Sequence, residues 1–458
     1  MVPDPVRVLP ELEVAPPAKL PTRPPVGDSV RAIQLLATGR AVREDPGGLA
    51  ASASLFQRAL QFDSTSRDAL WELGWTYQRM EQWDAALAAW SALRRFAPDH
   101  RGLARYVPII EMRRDKASRA SISDEAIMID TVPSPGERFT IGAVGDIQMG
   151  MGWPEDSPRL PPDSARGMFA RVADLLRHPD VTFGNLETVL ADGGNSTKCR
   201  RGSSNCYAFR APSGYAQRLR EAGIDVVSTN NNHASDFGAA GLSNTVTALE
   251  AASVRPSGSL SGAASWETRG LRIALISFST GDGPYRVQNI ADARQSVRAL
   301  DGTHDIIIVS FHGGAEGRHA TRVPKQVETA FGENRGDVYR FARTLVDAGA
   351  DLILGHGPHV LRGMEIYRGR LIAYSLGNFA AWHGFNLGGP LGVTVVLEAT
   401  LAPNGVVTDA TINPVFLDGP GIPTPDPDAR GIAAIRELSR LDFGDPLFDA
   451  SGRLIPRQ

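Results

Sequence analysis

The chain has 458 residues, a formal net charge of −3 and a charged share of 22%. This balance, with no long basic run, excludes nucleic acid as an implied partner. The hydrophobic share of 42% is ordinary for a globular protein, and no apolar run approaches the roughly 20 residues that a membrane helix needs. The length predicts a large core domain with an appendage and no membrane span.

The first 27 residues are rich in proline, which favours extended polyproline conformation. Residues 1–27 are therefore predicted to form a linker. The segment lacks the basic start and apolar centre of a secretory signal. Two interpretations stay open: a cytoplasmic protein, or a protein whose signal or anchor is absent from this sequence.

Residues 28–117 have helical periodicity and are predicted to form a small all-α region. One unit has the spacing of a tetratricopeptide repeat, carried by Trp71, Leu73, Gly74, Tyr77, Ala86, Trp90 and Pro98. The unit before it keeps only Phe56 and Ala59 in the matching places, and residues 101–117 are predicted to form a third, capping helix. The region is either a plain helical hairpin on the main domain or a peptide-docking module, and both stay open.

After a second predicted linker, residues 118–137, strand-like apolar runs alternate with helical stretches. Such alternation predicts an α/β layered domain, which we place at residues 138–418. The predicted strands are 139–144, 181–183, 224–227, 272–278, 305–311, 351–354 and 371–374, and the predicted helices are 168–176, 215–222, 242–251 and 338–348. Two later strands, 392–402 and 405–414, are expected to close a second sheet. Residues 419–458, rich in Pro, Asp and Gly, are expected to form a tail with one short helix.

Polar side chains follow five of the predicted strands, at the point where each strand ends. The groups are Asp146 and Gln148; Asn185 and Glu187; Asn231, Asn232, His233 and Asp236; His312 and Glu316; and His356 and His359. Strand ends of an α/β sheet meet at one edge, so these side chains are expected to lie close together. A mixed carboxylate, amide and imidazole set suits Mn, Fe, Zn or Mg better than a cysteine-based structural site would.

Several of these residues also have a structural interpretation. Asp146 could cap a following helix, the Asn-rich stretch could be an Asx turn, and His312 could be a satisfied core histidine. The recurrence of the pattern at five strand ends favours a functional site over these separate explanations. His356 and His359 carry the strongest signal, because two imidazoles in a Gly/Pro turn have little structural purpose.

The order and spacing of these motifs resemble the calcineurin-like metallophosphatases and, more closely, the CapA family of poly-γ-glutamate capsule biosynthesis proteins. The motifs that carry the resemblance are Gly145-Asp146, Asn185-Leu-Glu187, Asn231-Asn-His-Ala-Ser-Asp-Phe-Gly238, Phe311-His-Gly-Gly-Ala-Glu316, Gly355-His-Gly-Pro-His359 and Tyr374-Ser-Leu-Gly-Asn-Phe379. The resemblance covers about residues 138–400. It implies a four-layer α-β-β-α metallophosphatase-like sandwich beside the all-α region.

The resemblance also implies a centre holding one or two divalent ions (Mn, Zn, Fe or Mg). The implied ligands are Asp146, Asn232, His312, His356 and His359, joined by Glu187 or Asn185. His233 would be the proton donor to the leaving group, with Asp146 as the other catalytic residue. Gln148 replaces a histidine ligand of the phosphatases, and Asn185 replaces their bridging aspartate. These departures leave open two ions, one ion, a weakly held ion or none.

Other residues near the motifs have less specific assignments. Glu316 is expected to orient an imidazole, and Ser375 and Asn378 either contact substrate or shape a turn. Arg210 either meets an anionic polymer or belongs to a solvated charged face.

Cys199 and Cys206 form a close pair in a polar loop, which favours a disulfide over metal binding. A disulfide would place the protein outside the cytoplasm, as a periplasmic, secreted or surface protein.

Three functional hypotheses follow. The first is a metal-assisted hydrolase or transferase acting on a phosphoester or on an anionic capsule-type polymer. The second is a non-catalytic polymer-binding accessory protein whose helical repeats dock a membrane synthase. The third is a peptide or amino-acid epimerase in which Asp146 and a histidine exchange a proton.

Overall fold

The computed structural model describes residues 29–43, 48–80, 82–98, 138–156, 158–200, 206–281 and 283–456, with positions 100, 103, 107, 110, 111 and 114. The chain divides into two compact units, residues 1–122 and 123–458. The predicted linkers 1–27 and 118–137 lie outside the described residues, as does most of the predicted helix 101–117. Among the described residues, no helix combines the length and the apolar character needed to cross a bilayer.

Within residues 29–98, apart from the gaps named above, the first unit contains two helical pairs. The helices are α1 (Ser29–Val42), α2 (Leu49–Phe62), α3 (Arg67–Arg79) and α4 (Trp83–Phe96). A Cβ atom on Gly74 would lie 2.1 Å from the indole nitrogen of Trp90, so only glycine allows α3 and α4 to approach this closely. Gly39 and Phe56 repeat this relationship in the first pair, where the added Cβ would lie 2.5 Å from the phenyl ring. The structure thus contains a second repeat that the sequence pattern showed only in part.

The second unit is built from strands and six helices among its described residues. Its strands are β1 (Phe139–Gln148), β2 (Val181–Leu186), β3 (Val189–Leu190), β4 (Arg210–Ala211), β5 (Val226–Ser228), β6 (Arg255–Ser257), β7 (Ala264–Thr268), β8 (Leu271–Ser279), β9 (Ile306–His312), β10 (Glu328–Ala330), β11 (Glu333–Gly336), β12 (Leu352–His356), β13 (Met364–Tyr367), β14 (Arg370–Ala373), β15 (Asn378–Ala381), β16 (Val393–Leu401), β17 (Val407–Asp418) and β18 (Ile422–Pro425). Its helices are α5 (Ala173–Arg177), α6 (Ala216–Ala222), α7 (Gly238–Ala251), α8 (Ile290–Asp301), α9 (Val338–Val346) and α10 (Arg430–Phe443).

Two large sheets form the centre of this unit. The first has the order β18-β17-β16-β1-β2-β5-β6, with β15 pairing beside the end of β1, and the second has the order β13-β14-β12-β9-β8-β7. The central strands β1, β2, β5 and β6 run parallel, as do β8, β9, β12 and β14. Parallel strands are covered on both faces, which explains their nearly continuous apolar sequences.

Buried side chains define four layers. Phe139, Phe183, Ile308 and Leu354 belong to one core that joins the two sheets. A second core joins the first sheet to α5, α6 and α7, and a third joins the second sheet to α8 and α9. The predicted α-β-β-α arrangement of this unit is therefore confirmed, as is the separate all-α region at the N-terminal end of the described residues.

Two expectations about the end of the chain are wrong. Strands β16 and β17 do not close a second sheet, because β16 pairs antiparallel with β1 and extends the first sheet. Residues 419–456 are not a tail, because β18 pairs with β17 and Ile435 and Phe448 are fully buried in the core between the sheets. The predicted helix 168–176 is shorter than expected, since only Ala173–Arg177 is α-helical.

Candidate functional site

The strand ends of both sheets meet at one site. Asp146 on β1 lies opposite Asn185 on β2 and Asn378 on β15, and His312 on β9 lies opposite His356 on β12. Glycine precedes the site residue on two strands because backbone passes close by. A Cβ on Gly145 would lie 2.0 Å from the carbonyl oxygen of Gly377, and one on Gly355 would lie 2.3 Å from that of Tyr374.

The carboxylate of Glu187 is fully buried, and neither of its oxygens has a hydrogen-bond partner among the residues that the structure describes. Three imidazole Nε2 atoms surround its Oε1: those of His233 at 3.9 Å, His312 at 3.8 Å and His359 at 3.9 Å. Burial, joined by the negative charge of Asp146, raises the pKa of Glu187 well above its ordinary value. A buried carboxylate left without hydrogen bonds is costly, so this arrangement indicates a functional use.

His359 connects the two carboxylates. Its Nδ1 lies 3.0 Å from Oδ2 of Asp146 and 2.9 Å from Oδ1 of Asn378, so this nitrogen carries the proton and Nε2 faces Glu187. Burial alone would lower the pKa of His359, but the charges of Glu187 and Asp146 outweigh it and raise this pKa to about 10. Burial likewise opposes the ionisation of Asp146, yet the neighbouring histidines, His359 foremost, lower its pKa. The two carboxylates therefore stabilise a positively charged group beside them, either a protonated imidazole or a bound cation.

Asp236 contacts the Nδ1 side of the His233 imidazole. Oδ2 of Asp236 lies 2.7 Å from Nδ1 of His233 and accepts a hydrogen bond from the backbone of Phe209 at 2.9 Å. Its other oxygen lies 3.1 Å from the ammonium group of Lys198. Burial lowers the pKa of His233, with Asp236 opposing the shift. The neutral imidazole then carries its proton on Nδ1 and presents a bare Nε2 to the site.

Asn185 turns its amide nitrogen toward the site. Nδ2 of Asn231 donates to the carbonyl oxygen of Leu186 at 2.9 Å and to Oδ1 of Asn185 at 3.1 Å, which fixes the orientation of the second amide. Nδ2 of Asn185 then donates to Oδ1 of Asp146 at 2.8 Å and to Nδ1 of His312 at 3.2 Å. A side-chain amide nitrogen donates and does not accept, so Asn185 positions these two neighbours and offers no ligand atom as placed.

His312 and His356 are buried, and both carry their proton on Nε2. Burial lowers the pKa of both imidazoles, that of His312 most strongly. Because Nδ1 of His312 accepts from Asn185, its Nε2 carries the proton and points to Glu187. Nε2 of His356 donates to the carbonyl oxygen of Val144 at 3.0 Å, which leaves a bare Nδ1 without a hydrogen-bond partner. An imidazole that donates through one nitrogen to a carbonyl has the typical arrangement of a metal ligand.

These observations test whether the residues suit a divalent ion. The ligand atoms of Asp146, Glu187 and His359 all lie within 4.8 Å of one another. Oδ1 of Asn232 and Nδ1 of His356 are buried and without a hydrogen-bond partner. Oxygen atoms and bare imidazole nitrogens are ligands of Mn, Fe and Zn, so the donor set fits a cation. The set does not choose among these metals.

Three other predicted residues serve the surrounding structure. Glu316 pairs with the buried Arg335 at 2.6 Å and does not contact an imidazole by hydrogen bonding. The hydroxyl oxygen of Ser375 accepts from the backbone of Gly377 at 3.3 Å and shapes the turn before β15. Asn378 holds the His359 segment through both ends of its amide. Of the three, only Asn378 touches a residue of the site.

Arg210 is also placed differently from the expectation of a polymer contact. It is 5% exposed and pairs with Glu155 at 2.6 Å, while its Nη2 donates to the carbonyl oxygen of Gly152 at 2.9 Å. Its guanidinium lies 5.3 Å from the ring centre of Phe237. These contacts join loops beside the site and leave little of the charge for a ligand.

The cysteine loop brings two further residues to the site. Cys199 and Cys206 are joined by a disulfide, with their Cα atoms 5.6 Å apart. Lys198 precedes the bridge, and the ring of Phe209, beyond it, stacks on His233 with centroids 4.2 Å apart. Sequence reasoning missed both residues, since neither belongs to a strand-end motif. The closeness of Lys198 to a predicted bridge was the available signal.

Comparison with known protein families identifies the class of protein to which this fold and site belong. The family described as bacterial capsule synthesis protein PGA_cap matches residues 140–382. This chain belongs to that family. Every strand-end motif described above lies within the matched segment.

Two of its relatives have names that describe a function. The capsule biosynthesis protein CapA of Bacillus anthracis is 30% identical over 271 residues, which cover 54% of this chain and 61% of that protein. The PGA biosynthesis protein CapA of Bacillus subtilis (strain 168) is 27% identical over 250 residues, covering 53% of this chain and 63% of the relative. The matches thus span less than two thirds of either relative.

Among solved structures, a purple acid phosphatase from yellow lupin (Lupinus luteus) is similar at 12% identity with a TM-score of 0.31. That match covers 71% of this chain and 58% of the phosphatase. A similarity this low carries no inference about chemistry.

Proposed function

We propose that this protein is a metal-dependent hydrolase or transferase that acts on a phosphoryl or acyl group during assembly, export or anchoring of a capsule-type polymer such as poly-γ-glutamate. The observation that carries the proposal is the environment of Glu187. Its two carboxylate oxygens have no hydrogen-bond partner among the described residues, and three imidazoles and Asp146 lie close to them. Burial of such a carboxylate costs free energy unless a cation binds to it.

Five residues would hold the ion. Asp146 and Glu187 supply anionic oxygens, Asn232 supplies an amide oxygen, and His356 and His359 supply imidazole nitrogens. A bound divalent ion lowers the pKa of water to roughly 7 and stabilises negative charge on an attacked group. With Asn185 and His312 presenting N–H groups, the described residues favour one ion over two.

His233 would move the proton. Its bare Nε2 first accepts a proton from the attacking hydroxyl or water and then returns it to the departing oxygen or nitrogen. Asp236 keeps the opposite proton on Nδ1 and stabilises the imidazolium formed in between. The N–H at Nε2 of His312 would donate to a substrate oxygen. The sequence expectation of a simple proton donor is thus extended, because the neutral resting state must take a proton first.

The polymer context rests on the family and on the names of the two relatives, which are a capsule biosynthesis protein and a PGA biosynthesis protein. The disulfide between Cys199 and Cys206 supports an extracytoplasmic location, because such bonds persist in oxidising compartments. Binding of an anionic polymer without catalysis is the competing proposal. The buried position of the cluster does not favour it, since polyanions are bound by exposed cations.

Elemental analysis of the purified protein tests the proposal. The wild type is compared with Asp146→Ala and His359→Ala, and with His178→Ala as a matched control at a histidine whose side chain is 72% exposed. We expect about one metal equivalent in wild type and control and a loss of about tenfold or more in the two site variants. Equal metal in all four proteins would overturn the metal assignment. Metal without turnover of a generic phosphodiester such as bis-p-nitrophenyl phosphate, or of a polymer substrate, would favour the binding protein.

A further inference from the structure

Gln148 lies at the end of β1, beside the site, and its side chain forms hydrogen bonds with the backbone of neighbouring loops. Its Oε1 accepts a hydrogen bond from the backbone of Trp382 at 2.9 Å, and its Nε2 donates to the carbonyl oxygen of Gly150 at 2.9 Å. The residue is fully buried. Both ends of the amide are therefore committed to holding loop backbone.

Gly384 fits against this same amide. A Cβ atom at position 384 would lie 2.4 Å from Cδ of Gln148 and 2.5 Å from its Nε2. Because the amide is buried and hydrogen-bonded at both ends, it has little freedom to yield. Residues 382–388, which we name the cover loop, are thus seated on Gln148 by one hydrogen bond and one close contact.

The cover loop brings Phe385 against residues of the site. Its ring centre lies 4.8 Å from that of His359 and 5.7 Å from that of Phe209. Phe209 in turn stacks on His233. An aromatic pair therefore links two histidines whose Nε2 atoms each lie 3.9 Å from Oε1 of Glu187.

The exposed fractions of the side chains show which of them still reach solvent beside Phe385 and Phe209. The side chains of Asp146 and Glu187 have no exposed area, and His312 is 1% exposed. His233 and His359 retain 10% and 16%, and both are touched by the aromatic pair. Phe385 and Phe209 therefore cover part of the two histidine side chains that keep contact with solvent.

We infer that the cover loop, anchored by Gln148 and closed by Phe385 against Phe209, is the specificity-determining gate of the site. It admits small esters or the narrow, unbranched end of an extended polymer chain, and it excludes bulky or folded groups. Gln148 is a positioning residue that acts through this loop. The inference rests on the proposed function only in taking the Glu187 cluster as the reacting centre.

Covalent labelling of His233 tests the gate without any need for turnover. Diethyl pyrocarbonate acylates the accessible nitrogen of a neutral imidazole, and peptide mass spectrometry measures the rate at this residue. We compare the wild type with Phe385→Ala and Gln148→Ala, and with Phe331→Ala as control, since Phe331 is 89% exposed at another loop. Circular dichroism and thermal unfolding confirm that each variant is folded.

We expect labelling of His233 to be about tenfold faster in both gate variants, and unchanged in the control, because opening the loop exposes Nε2. Phe385→Trp should restore slow labelling by replacing the aromatic cover. Unchanged labelling in folded Phe385→Ala would overturn the inference, as would equally fast labelling in the control.

Turnover of substrates of different size by the same variants tests whether the gate determines specificity. Phe385→Ala should raise kcat/KM for a bulky phosphodiester relative to a small one, compared with wild type, while Phe331→Ala leaves the ratio unchanged. An unchanged ratio in Phe385→Ala would overturn the specificity role. If no variant turns over either ester yet labelling changes as expected, the gate stands and the proposed hydrolase function fails.

Discussion

Nε2 of His356 donates a hydrogen bond to the carbonyl oxygen of Val144, and this 3.0 Å contact joins the two sheets directly at the site. The carbonyl is available because the pairing of β1 with β2 shifts register between Ala143 and Asp146. An irregularity in one sheet thereby fixes the imidazole of the other. It also sets the tautomer that leaves Nδ1 of His356 bare.

His356→Ala should destabilise the metal-free protein by about 1–3 kcal/mol, because the buried carbonyl of Val144 loses its donor. Urea unfolding in the presence of a chelator measures this difference. His178→Ala is the control, since that side chain is 72% exposed and pairs only with Glu398, and it should change stability by about 0.5 kcal/mol or less. Equal stabilities of the two variants would contradict the structural importance of the contact.

Glu187→Gln should separate metal binding from folding. Neither carboxylate oxygen makes a hydrogen bond, so the metal-free variant should be at least as stable as metal-free wild type. At a metal concentration about 100-fold above Kd, wild type should gain about 2.7 kcal/mol of stability, and the variant should gain little. Thermal unfolding with and without metal reports both. A variant that is destabilised without metal but still stabilised by it would refute this account.

Asn185→Asp should increase metal binding. The substitution replaces an N–H donor with an acceptor, so Nδ1 of His312 would carry the proton and Nε2 would become bare. Without metal, the new carboxylate faces Asp146 and should lower stability. Isothermal titration should show a higher affinity or a second equivalent, whereas Asn185→Ala, which removes the donor without adding charge, should show neither. Identical titrations of the two variants would argue against the tautomer assignment.

Asp236→Asn should reduce turnover while leaving metal content unchanged. The carboxylate fixes the proton on Nδ1 of His233, and an amide can hold the ring in the opposite tautomer. We expect a fall in kcat of about 10²- to 10⁴-fold, the usual contribution of acid–base catalysis. Steady-state kinetics with elemental analysis measures both quantities. Combining this change with His233→Ala should add little, since the two residues act as a unit; an additive double variant would count against the pairing.

Gly74→Ala should disrupt the helical unit. The new methyl group would lie 2.1 Å from the indole nitrogen of Trp90, which donates to the carbonyl oxygen of Trp71. Overpacking of this kind costs about 1–3 kcal/mol. Tryptophan fluorescence during denaturation measures the loss, with Gly214→Ala, where an added Cβ meets nothing within 4 Å, as the control. A fully stable Gly74→Ala protein would contradict the close helix approach.

The layered fold was accessible from sequence because its parallel strands are buried on both faces. Runs such as those of β8 and β9 are largely apolar; the structure extends the first by one residue at each end and shifts the second by one residue toward His312. The end of the chain was misread because its Pro- and Asp-rich composition resembles a linker. Only pairing with β17 and burial of Ile435, both long-range contacts, make it part of the core.

The site was harder to predict than the fold. Strand-end positions identified Asp146, Glu187 and His359, because the topology alone brings such ends together. The orientation of each group depends on hydrogen bonds between distant residues. No local pattern shows that Asn185 presents its nitrogen or that Gln148 turns toward Trp382. The residue types predicted which acids, bases and ligand atoms are present. The hydrogen-bond network determined which atom of each side chain faces the site.

Division of the centre between two sheets also has a consequence for biosynthesis. Asp146 leaves the ribosome long before His359, and β16, which flanks β1, is translated later still. A nascent chain that has not reached His359 therefore holds only part of the centre. Assembly of the centre waits until strands of both sheets have been synthesised.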